Sequence, residues 1–346
     1  MYLINDHLKH SDIFKRNDTG LVGIQNMGNT CYINATLQCL FNLYNLSDFL
    51  LENKYNKNNS YNKEIAIEFI KLNNTYWQPK TNREIITPRN FLNKVYSKDI
   101  FTYGEQNDSS EFLNFLIDCI HEYISHEVSF NIHSKTPETV IAKMRITSLR
   151  SWKKHFKNYS FFVDFTYGQY KNIFTCLNCK KETITFEPFN IVDLPIPNSH
   201  INVSIYDCLT SFSNSEILEE GKKCTKCRRN TSTKKNITIW RAPRILIICL
   251  KRFDKKLNKI HTNILFPKEK LTIFSKFSNK EFNYYLSGVV YHTGSYFGGH
   301  YYSVCRVMDK NNNLRKWVKF DDESVSYIDE SRIITPNSYI LFYKAF

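Results

Sequence analysis

The stretch at residues 28–40, GNTCYINATLQCL, places two cysteines eight residues apart and predicts the start of a helix. Turn-forming residues come first, and Asn29 or Thr30 is a good helix N-cap. Apolar side chains then recur at helical spacing, namely Ile33, Leu37, Leu40 and Phe41. Cys31 therefore lies in the first turn, where unpaired backbone N–H groups and the helix dipole favour a thiolate. Cys39 lies two turns further on among apolar neighbours and is expected only to fill space.

The composition of the chain favours a folded protein that works inside the cell. The 346 residues are 42% hydrophobic, which is enough to bury a large core and excludes general disorder. Residues 1–19 are polar and unpatterned and are predicted to be a leader without a signal peptide; no apolar run has the length of a membrane span. The ten cysteines are then expected to be thiols and metal ligands rather than a disulfide framework.

The order of sequence patterns along the chain predicts an α+β fold. Periodicity from 20 to about 130 is mostly helical, with one strong amphipathic helix after Asp108. The polar, basic stretch 131–159 is predicted to be a connection. After residue 160 the chain alternates and is rich in β-branched and aromatic residues, which indicates strands. Helices followed by strands are typical of an α+β architecture.

Two CxxC pairs in the strand region predict a metal site. Each pair is expected on a tight turn, and together they offer four thiolates, the number that tetrahedral zinc requires. The predicted ligands of one structural zinc ion per chain are Cys176, Cys179, Cys224 and Cys227. Cys208 and Cys249 lie in apolar runs and are expected in the core.

A run of basic residues surrounds the second CxxC pair and contributes to a net charge of +14. From Lys222 to Lys235 it contains no acidic residue. Such a run is usually a solvated face; otherwise it meets an acidic protein, nucleic acid or an anionic membrane. The sequence does not choose among these.

A histidine and two acids near the end of the chain supply the other groups that a cysteine nucleophile needs. The pair Gly298 and Gly299 precedes His300 in a predicted strand and gives backbone room for a substrate chain. A second strand ends at Asp321 and Asp322. An antiparallel hairpin that pairs 300–306 with 315–321, with its turn in 309–313, would set His300 opposite Asp321 and leave Asp322 on the other face.

The sequences of four segments, and their order along residues 20–345, resemble those of the ubiquitin-specific protease family of deubiquitinating enzymes. The first segment, GLVGIQNMGNTCY at 20–32, is similar to the family's cysteine box. The others are EQNDSSEFL at 105–113, PRILIICLKRF at 243–253, and YHTG at 291–294 with GGHY at 298–301, which is similar to the histidine box. Ala35 and Asn107 depart from frequent family residues, at positions peripheral to the chemistry.

The resemblance implies a papain-like cysteine protease core with thumb, palm and fingers subdomains. The catalytic domain would cover 20–346, with the helical thumb at about 20–155. The fingers, braced by zinc, would lie at about 160–240, and the palm at about 185–200 and 240–346.

The resemblance also assigns roles to individual residues. It implies Cys31 as the nucleophile, His300 as the general base and Asp321 as the acid that orients it, with Asp322 assisting. Asn26, which could also be a plain turn residue, would supply an oxyanion-hole amide.

The acids Asp108 and Glu111 allow two interpretations. Asp-x-x-Glu ahead of an apolar helix is a capping box. In the family, the matching acids face the arginine-bearing tail of ubiquitin, and the resemblance favours this substrate-binding role, together with Gly298 and Gly299.

The function that follows is hydrolysis of the bond at the C-terminal glycine of ubiquitin, with ubiquitinated proteins or polyubiquitin as substrates. The alternatives are a non-catalytic ubiquitin-binding adaptor and a zinc-ribbon nucleic-acid-binding protein, the latter supported only by the basic run. Chain linkage, choice among ubiquitin-like modifiers and oligomeric state are not readable from the sequence.

Overall fold

The computed structural model describes residues 20–78, 85–129, 131–132, 139–198, 203–308 and 315–346, so the predicted leader 1–19 and the predicted turn 309–313 lie outside the described residues. The helices are α1 Cys31–Phe41, α2 Tyr44–Glu52, α3 Lys63–Trp77, α4 Arg89–Tyr96, α5 Ser109–Ile124, α6 Val140–His155, α7 Phe161–Phe165 and α8 Ile205–Ser213, with a 3₁₀ turn at Glu330–Arg332. The strands up to residue 241 are β1 Gly23–Ile24, β2 Ile85–Ile86, β3 His126–Glu127, β4 Asn158–Tyr159, β5 Gly168–Cys176, β6 Glu182–Phe189, β7 Ile191–Pro195, β8 Val203–Ser204, β9 Glu216–Lys223 and β10 Asn230–Arg241. The remaining strands are β11 Ile245–Lys251, β12 Ile264–Leu265, β13 Leu271–Ser275, β14 Lys280–Ser295, β15 Gly298–Met308, β16 Arg315–Asp321, β17 Ser324–Tyr327 and β18 Ser338–Ala345.

Two sheets organise the second half of the chain. The larger sheet has eight strands in the order β17-β16-β15-β14-β18-β11-β7, with β13 also paired to β14. The smaller sheet has four antiparallel strands in the order β6-β5-β10-β9. Helices before strands confirm the predicted α+β class.

The larger sheet separates two hydrophobic cores, and its central strand β11 shows how the sequence produces this. The run ILIICL at 245–250 is buried on both faces, as expected for a strand between two neighbours that is covered on both sides. Because side chains alternate along a strand, Ile245 and Ile247 join the core that contains α1, whereas Leu246 and Ile248 join the core on the opposite face.

Helix α1 is the central helix of the first core. All eleven of its residues are buried, and it packs against β15 and α5. Its buried amide N–H groups find acceptors inside the core; Gln38 Nε2, for example, donates to the Val22 carbonyl at 2.7 Å. The helix begins at Cys31 as predicted, and one of the two predicted N-cap residues occupies the N-cap position. Thr30 occupies that position and makes no capping bond, because its hydroxyl accepts from Met27 N–H and donates to Asn26 Oδ1.

The stretch 131–159 is not the connection that its polarity suggested. It contains α6, a helix of sixteen residues. The hydroxyl of Thr139 caps its first turn by accepting from Ala142 N–H at 3.1 Å. Only Ser148 and Trp152 of the helix are buried. A helix with so small a buried face has a polar composition, and for this reason the sequence suggested a connection.

Candidate functional site

The site lies where the start of α1 meets the start of β15. Cys31 opens α1 and is only 4% exposed, and its thiol lies within hydrogen-bonding range of the backbone N–H of Tyr301. Tyr301 directly follows His300, so the cysteine and the histidine stand on facing elements of one site. This proximity joins two residues that are 269 positions apart in the chain.

The His300 ring is held by Asp321. Its Nε2 lies 2.6 Å from Asp321 Oδ1, and since a carboxylate accepts, Nε2 carries the proton in this bond. Asp321 Oδ2 in turn accepts from Lys319 Nζ at 2.7 Å. Burial raises the pKa of Asp321, but the bonds from Lys319 and His300 outweigh it and leave the pKa below its usual range. The bond to Asp321 thus occupies Nε2 of the ring and leaves Nδ1 for another partner.

Asp322 takes a different position from its neighbour. It adopts a left-handed backbone conformation (φ 52°) in the turn between β16 and β17. Its two carboxylate oxygens accept from Asn26 Nδ2 and Asn34 Nδ2, each at 2.7 Å. Burial raises the pKa of Asp322 above its usual value, although the two bonds from Asn34 and Asn26 oppose that effect. A ring nitrogen of His300 and an oxygen of each acid nevertheless all lie within 4.8 Å of one another.

The hairpin register predicted for β15 and β16 is wrong by two residues. Arg306 pairs with Trp317 and Ser303 with Phe320, instead of 306 with 315. Continued in this register, Tyr302 rather than His300 is opposite Asp321. Because side chains alternate with a period of two, the shift keeps His300 and Asp321 on one face, as diagonal neighbours whose side chains meet.

Asn26 is fixed at both ends of its side chain. Its Oδ1 accepts from the backbone N–H groups of Gly28 and Thr30, at 3.0 and 3.3 Å. One Nδ2 hydrogen is donated to Asp322, which leaves the second free for another acceptor. The backbone carbonyl of Asp322 also accepts from Ile24 N–H at 2.9 Å, which ties the turn of Asp322 to the segment that leads into Asn26. The amide is therefore held in a defined orientation before any substrate is present.

Burial outweighs the backbone N–H groups at the start of α1, which lower the pKa of the Cys31 thiol as expected, so no thiolate is favoured there. Burial raises the pKa of the thiol above its usual value, and the nearby Asp322 carboxylate adds to the increase. The bond from the Tyr301 backbone works in the opposite direction but is outweighed. Cys39, as predicted, is a core residue; its Sγ lies 3.8 Å from that of Cys305, and burial raises its pKa well above the usual value.

Asp108 combines a cap with a buried partner. Its Oδ1 accepts from Ser110 N–H at 2.7 Å and from Glu111 N–H at 3.2 Å, which caps α5. Its Oδ2 accepts from the hydroxyl of Tyr339 on β18. Both oxygens are thus engaged within the protein. Glu111, by contrast, is exposed, and no bond from it back to the Asp108 N–H exists among the described residues, so the capping box is only half formed.

Three side chains at the site had no role in the sequence predictions. Asn34 and Lys319 hold the two acids, as described above. Gln106 forms a pair of amide bonds with the backbone of Gly299, accepting from its N–H at 2.7 Å and donating to its carbonyl at 3.0 Å. Asn34 lies one helical turn after Cys31 inside an apolar helix, and this buried amide was the sequence signal for its role.

The four predicted metal ligands converge at the far end of the smaller sheet. Their sulfur atoms all lie within 4.8 Å of one another, with 3.9 Å between Cys176 and Cys227 and 3.6 Å between Cys179 and Cys224. Tetrahedral zinc with bonds of about 2.3 Å requires sulfur–sulfur distances of about 3.8 Å. The geometry and the all-thiolate donor set fit a metal ion in a closed site.

The two CxxC turns share one conformation. The N–H of Lys180 donates to the Cys176 carbonyl at 2.9 Å, and that of Arg228 to the Cys224 carbonyl at 2.7 Å. Both donor residues are left-handed, with φ of 59° and 57°. A hydrogen bond from Thr231 lowers the pKa of Cys176 to about 6, and the backbone N–H of Cys227 lowers that of Cys224. The N–H of Lys181 lowers the pKa of Cys179, but burial and the other three thiols outweigh it and raise that pKa to about 11, so metal binding has to displace this proton.

Among the described residues, no helix is both long enough and apolar enough to cross a bilayer.

Comparison with known proteins places this geometry in context. Residues 22–343 match the family model described as "Ubiquitin carboxyl-terminal hydrolase". Ubiquitin carboxyl-terminal hydrolase 2 of Homo sapiens is 31% identical over 341 residues, covering 94% of this chain and 55% of the relative. Ubiquitin carboxyl-terminal hydrolase 4 of Vanderwaltozyma polyspora is 32% identical, covering 93% and 41%. The chain therefore spans about half the length of these curated relatives, or less.

A solved structure shows the same fold. The structure described as the SAGA Ubp8/Sgf11/Sus1/Sgf73 DUB module bound to ubiquitin aldehyde is similar with a TM-score of 0.67 and 24% identity. The match covers 96% of this chain and 71% of that one.

Proposed function

This chain belongs to the ubiquitin carboxyl-terminal hydrolase family, and from that premise we propose that it is a cysteine deubiquitinase that hydrolyses the bond after the C-terminal glycine of ubiquitin. The observation that supports the proposal is that the Cys31 thiol lies against the backbone of Tyr301, the residue after His300, while the His300 ring is bonded to Asp321. A non-catalytic adaptor would not need an oriented histidine beside a buried thiol.

In the proposed reaction, His300 Nδ1 takes the proton of Cys31 as the sulfur attacks the carbonyl carbon of the glycine. The histidine then gives that proton to the departing amine, which is a lysine side chain or a peptide N-terminus. Water, deprotonated by His300, hydrolyses the resulting thioester and restores the thiol. Asp321 keeps the ring in the tautomer with its proton on Nε2, so that Nδ1 is the basic nitrogen.

The pKa of the free thiol gives His300 a defined task in this reaction. Burial keeps Cys31 protonated near neutral pH, so the attacking thiolate must form by transfer to the histidine rather than exist beforehand.

Asn26 is the proposed donor to the oxyanion of the tetrahedral intermediate. Its free Nδ2 hydrogen and its fixed orientation mean that little reorganisation is needed when charge develops on the substrate oxygen. Asp322 acts through Asn26 and is a positioning residue.

Recognition of the ubiquitin tail is proposed to involve Gly298, Gly299 and Glu111. The two glycines precede His300 directly, and a Cβ on Gly299 would approach the Thr293 carbonyl and the His292 ring within 2.2 and 2.4 Å, so no larger residue fits there. Glu111 is the free acid for an arginine-bearing tail. Asp108 has both oxygens occupied and is proposed to support the tail site by fixing α5 against β18.

The bound metal is proposed to be one structural zinc ion held by Cys176, Cys179, Cys224 and Cys227. With four protein thiolates it would have no open position and would act by tying the ends of β5, β9 and β10 together. In terms of subdomains, we propose that 20–155 is the thumb and that the smaller sheet belongs to the fingers. The larger sheet would form the palm.

The proposal is tested with ubiquitin carrying a fluorogenic amide at its C-terminus. The chain should release the fluorophore with saturable kinetics, and Cys31→Ala should remove turnover while ubiquitin affinity stays within about threefold. Cys39→Ala is the matched control, because it removes a buried thiol from the same helix and should keep activity. Ubiquitin binding without turnover by the unmodified chain would instead identify an adaptor.

A further inference from the structure

The end of the smaller sheet carries a dense group of positive charges. We define the fingertip as residues 176–181 and 222–229, the two CxxC turns with the residues beside them. Its cations are Lys180, Lys181, Lys222, Lys223, Lys226, Arg228 and Arg229, and all seven are exposed. Each lies within two residues of a cysteine of the cluster, and therefore within about 7 Å of it along the backbone. The four sulfurs converge, so the seven charges form one compact surface.

This charge is only partly offset by the rest of the described protein. The fingertip contains no Asp or Glu, and none of its seven cations forms an ion pair with another described residue. Lys222 lies over the ring of Phe174, at 3.4 Å from its centre. Three exposed acids flank the fingertip: Glu219 and Glu220 lie in the irregularity of the β9–β10 pairing just before Lys222, and Glu182 follows Lys181. With the −2 charge of a zinc–tetrathiolate centre and these three acids counted, the seven cations still leave about +2 on this surface.

The remaining side chains of the fingertip select the kind of partner. A protein interface is expected to have Trp or Tyr anchors beside its arginines, and single-stranded nucleic acid is bound by aromatic rings on which bases stack. No large hydrophobic side chain of the fingertip is exposed among the described residues. Stable membrane attachment needs an apolar insertion or a lipid in addition to charge. What remains is a partner whose own surface is a regular array of phosphates.

We propose that the fingertip binds the phosphate backbone of duplex nucleic acid without reading its sequence. Lysine and arginine on rigid turns are the groups that contact phosphates, and such contacts set affinity rather than base specificity. The tip lies about 23 Å along β5 from Gln169 at its base, at a rise of about 3.3 Å per residue. The surface would therefore tether the enzyme near nucleic acid and is a function separate from hydrolysis.

The test measures binding of the full chain to a fluorescein-labelled 20-bp DNA duplex of mixed sequence, by anisotropy, between 50 and 200 mM NaCl. The variant Lys226→Gln/Arg228→Asn/Arg229→Gln removes three fingertip charges, and asparagine tolerates the left-handed backbone at position 228. The control Lys54→Gln/Lys57→Gln/Arg89→Gln removes three exposed charges from the helical half. Zinc content and the rate of ubiquitin-amide hydrolysis should be unchanged in both variants, which separates this test from that of the proposed function.

We expect the logarithm of affinity to fall linearly with that of salt, and the fingertip variant to have a slope smaller by about 2.7, at about 0.9 per lost contact. The loss of affinity from 50 to 200 mM NaCl would then shrink by about 40-fold relative to the unmodified chain, while the control stays within about threefold. Equal effects of the two variants, or no duplex binding at 50 mM NaCl, would overturn the proposal. The proposal would also be overturned if the chain bound vesicles containing phosphatidylserine through the fingertip but did not bind the duplex.

Discussion

The sharpest prediction concerns the two neighbouring acids, for which we propose different tasks. Asp321→Asn keeps the size of the side chain but offers His300 an amide in place of a carboxylate. The ring then loses the partner that fixes its tautomer, and kcat should fall by about 10²–10⁴. The free energy of unfolding should change by less than about 1 kcal/mol, because the bonds to His300 and Lys319 are partly exposed.

Asp322→Asn should show the opposite balance. The substitution removes charge-assisted bonds from Asn26 and Asn34, each worth about 1.5–3 kcal/mol when well buried. Since this site is only half buried, the expected loss of stability is about 2–4 kcal/mol in total. Asn26 keeps the bonds to its Oδ1, so kcat should fall about tenfold, less than for complete removal of an oxyanion donor.

Both variants are to be measured with the fluorogenic ubiquitin substrate at saturation and by urea unfolding. Lys316→Gln, an exposed change on β16, is a control for the strand itself. If Asp322→Asn reduced kcat more than Asp321→Asn, or if Asp321→Asn stayed within tenfold of the unmodified enzyme, the assignment of the orienting acid would be refuted.

Three further predictions concern the thiol, the metal and the cap. Burial raises the pKa of Cys31, so its thiol stays protonated until the pH exceeds the usual thiol value. Alkylation of Cys31 by iodoacetamide, followed by mass spectrometry, should therefore accelerate beyond about pH 9. A rate that has already reached its plateau at pH 6–7 would contradict this. Native mass spectrometry should find one zinc ion per chain. The Cys227→Ser variant should lose the ion and melt earlier than Cys208→Ser, a control at a buried cysteine outside the cluster. Metal-free protein with an unchanged melting temperature would refute a structural metal. Asp108→Ala should lower the free energy of unfolding by about 2–4 kcal/mol, because it removes a helix cap and leaves the Tyr339 hydroxyl unpaired. Glu111→Gln should raise KM for the ubiquitin substrate without changing stability. The reverse pattern would exchange the roles of the two acids.

The sequence predicted those features that depend on local pattern. The start of α1 at Cys31, α5 after Asp108 and the buried strand at 245–250 follow from periodicity and turn residues, and all three are present. The CxxC spacing likewise sufficed to group four cysteines, because each pair forms its own turn and β5 pairs with β10.

What the sequence did not predict depends on tertiary structure. Helix α6 exposes most of its surface, so composition alone resembled a connection. The register of β15 and β16 was inferred from the assumed centre of a turn and was wrong by two residues, although alternation kept Asp321 beside His300. The pKa of Cys31 follows from how deeply α1 is buried, which overrides the local effect of a helix start.

The same reason explains why Gln106 was passed over. Its side chain meets the backbone of Gly299, a residue 193 positions later, and such a contact leaves no trace in local spacing. Asn34 was a more accessible case, because an amide inside an apolar helix must find a partner in the core.

The central claim is that Cys31 attacks the carbonyl of ubiquitin's last glycine. The most direct test incubates the full chain with ubiquitin bearing a C-terminal vinyl methyl ester and reads the intact mass and the modified peptide. The account predicts an increase of one ubiquitin per chain, located at Cys31, lost in Cys31→Ala and slowed in Asp321→Asn. Absence of an adduct with folded, zinc-loaded protein, or an adduct on a different cysteine, would contradict it.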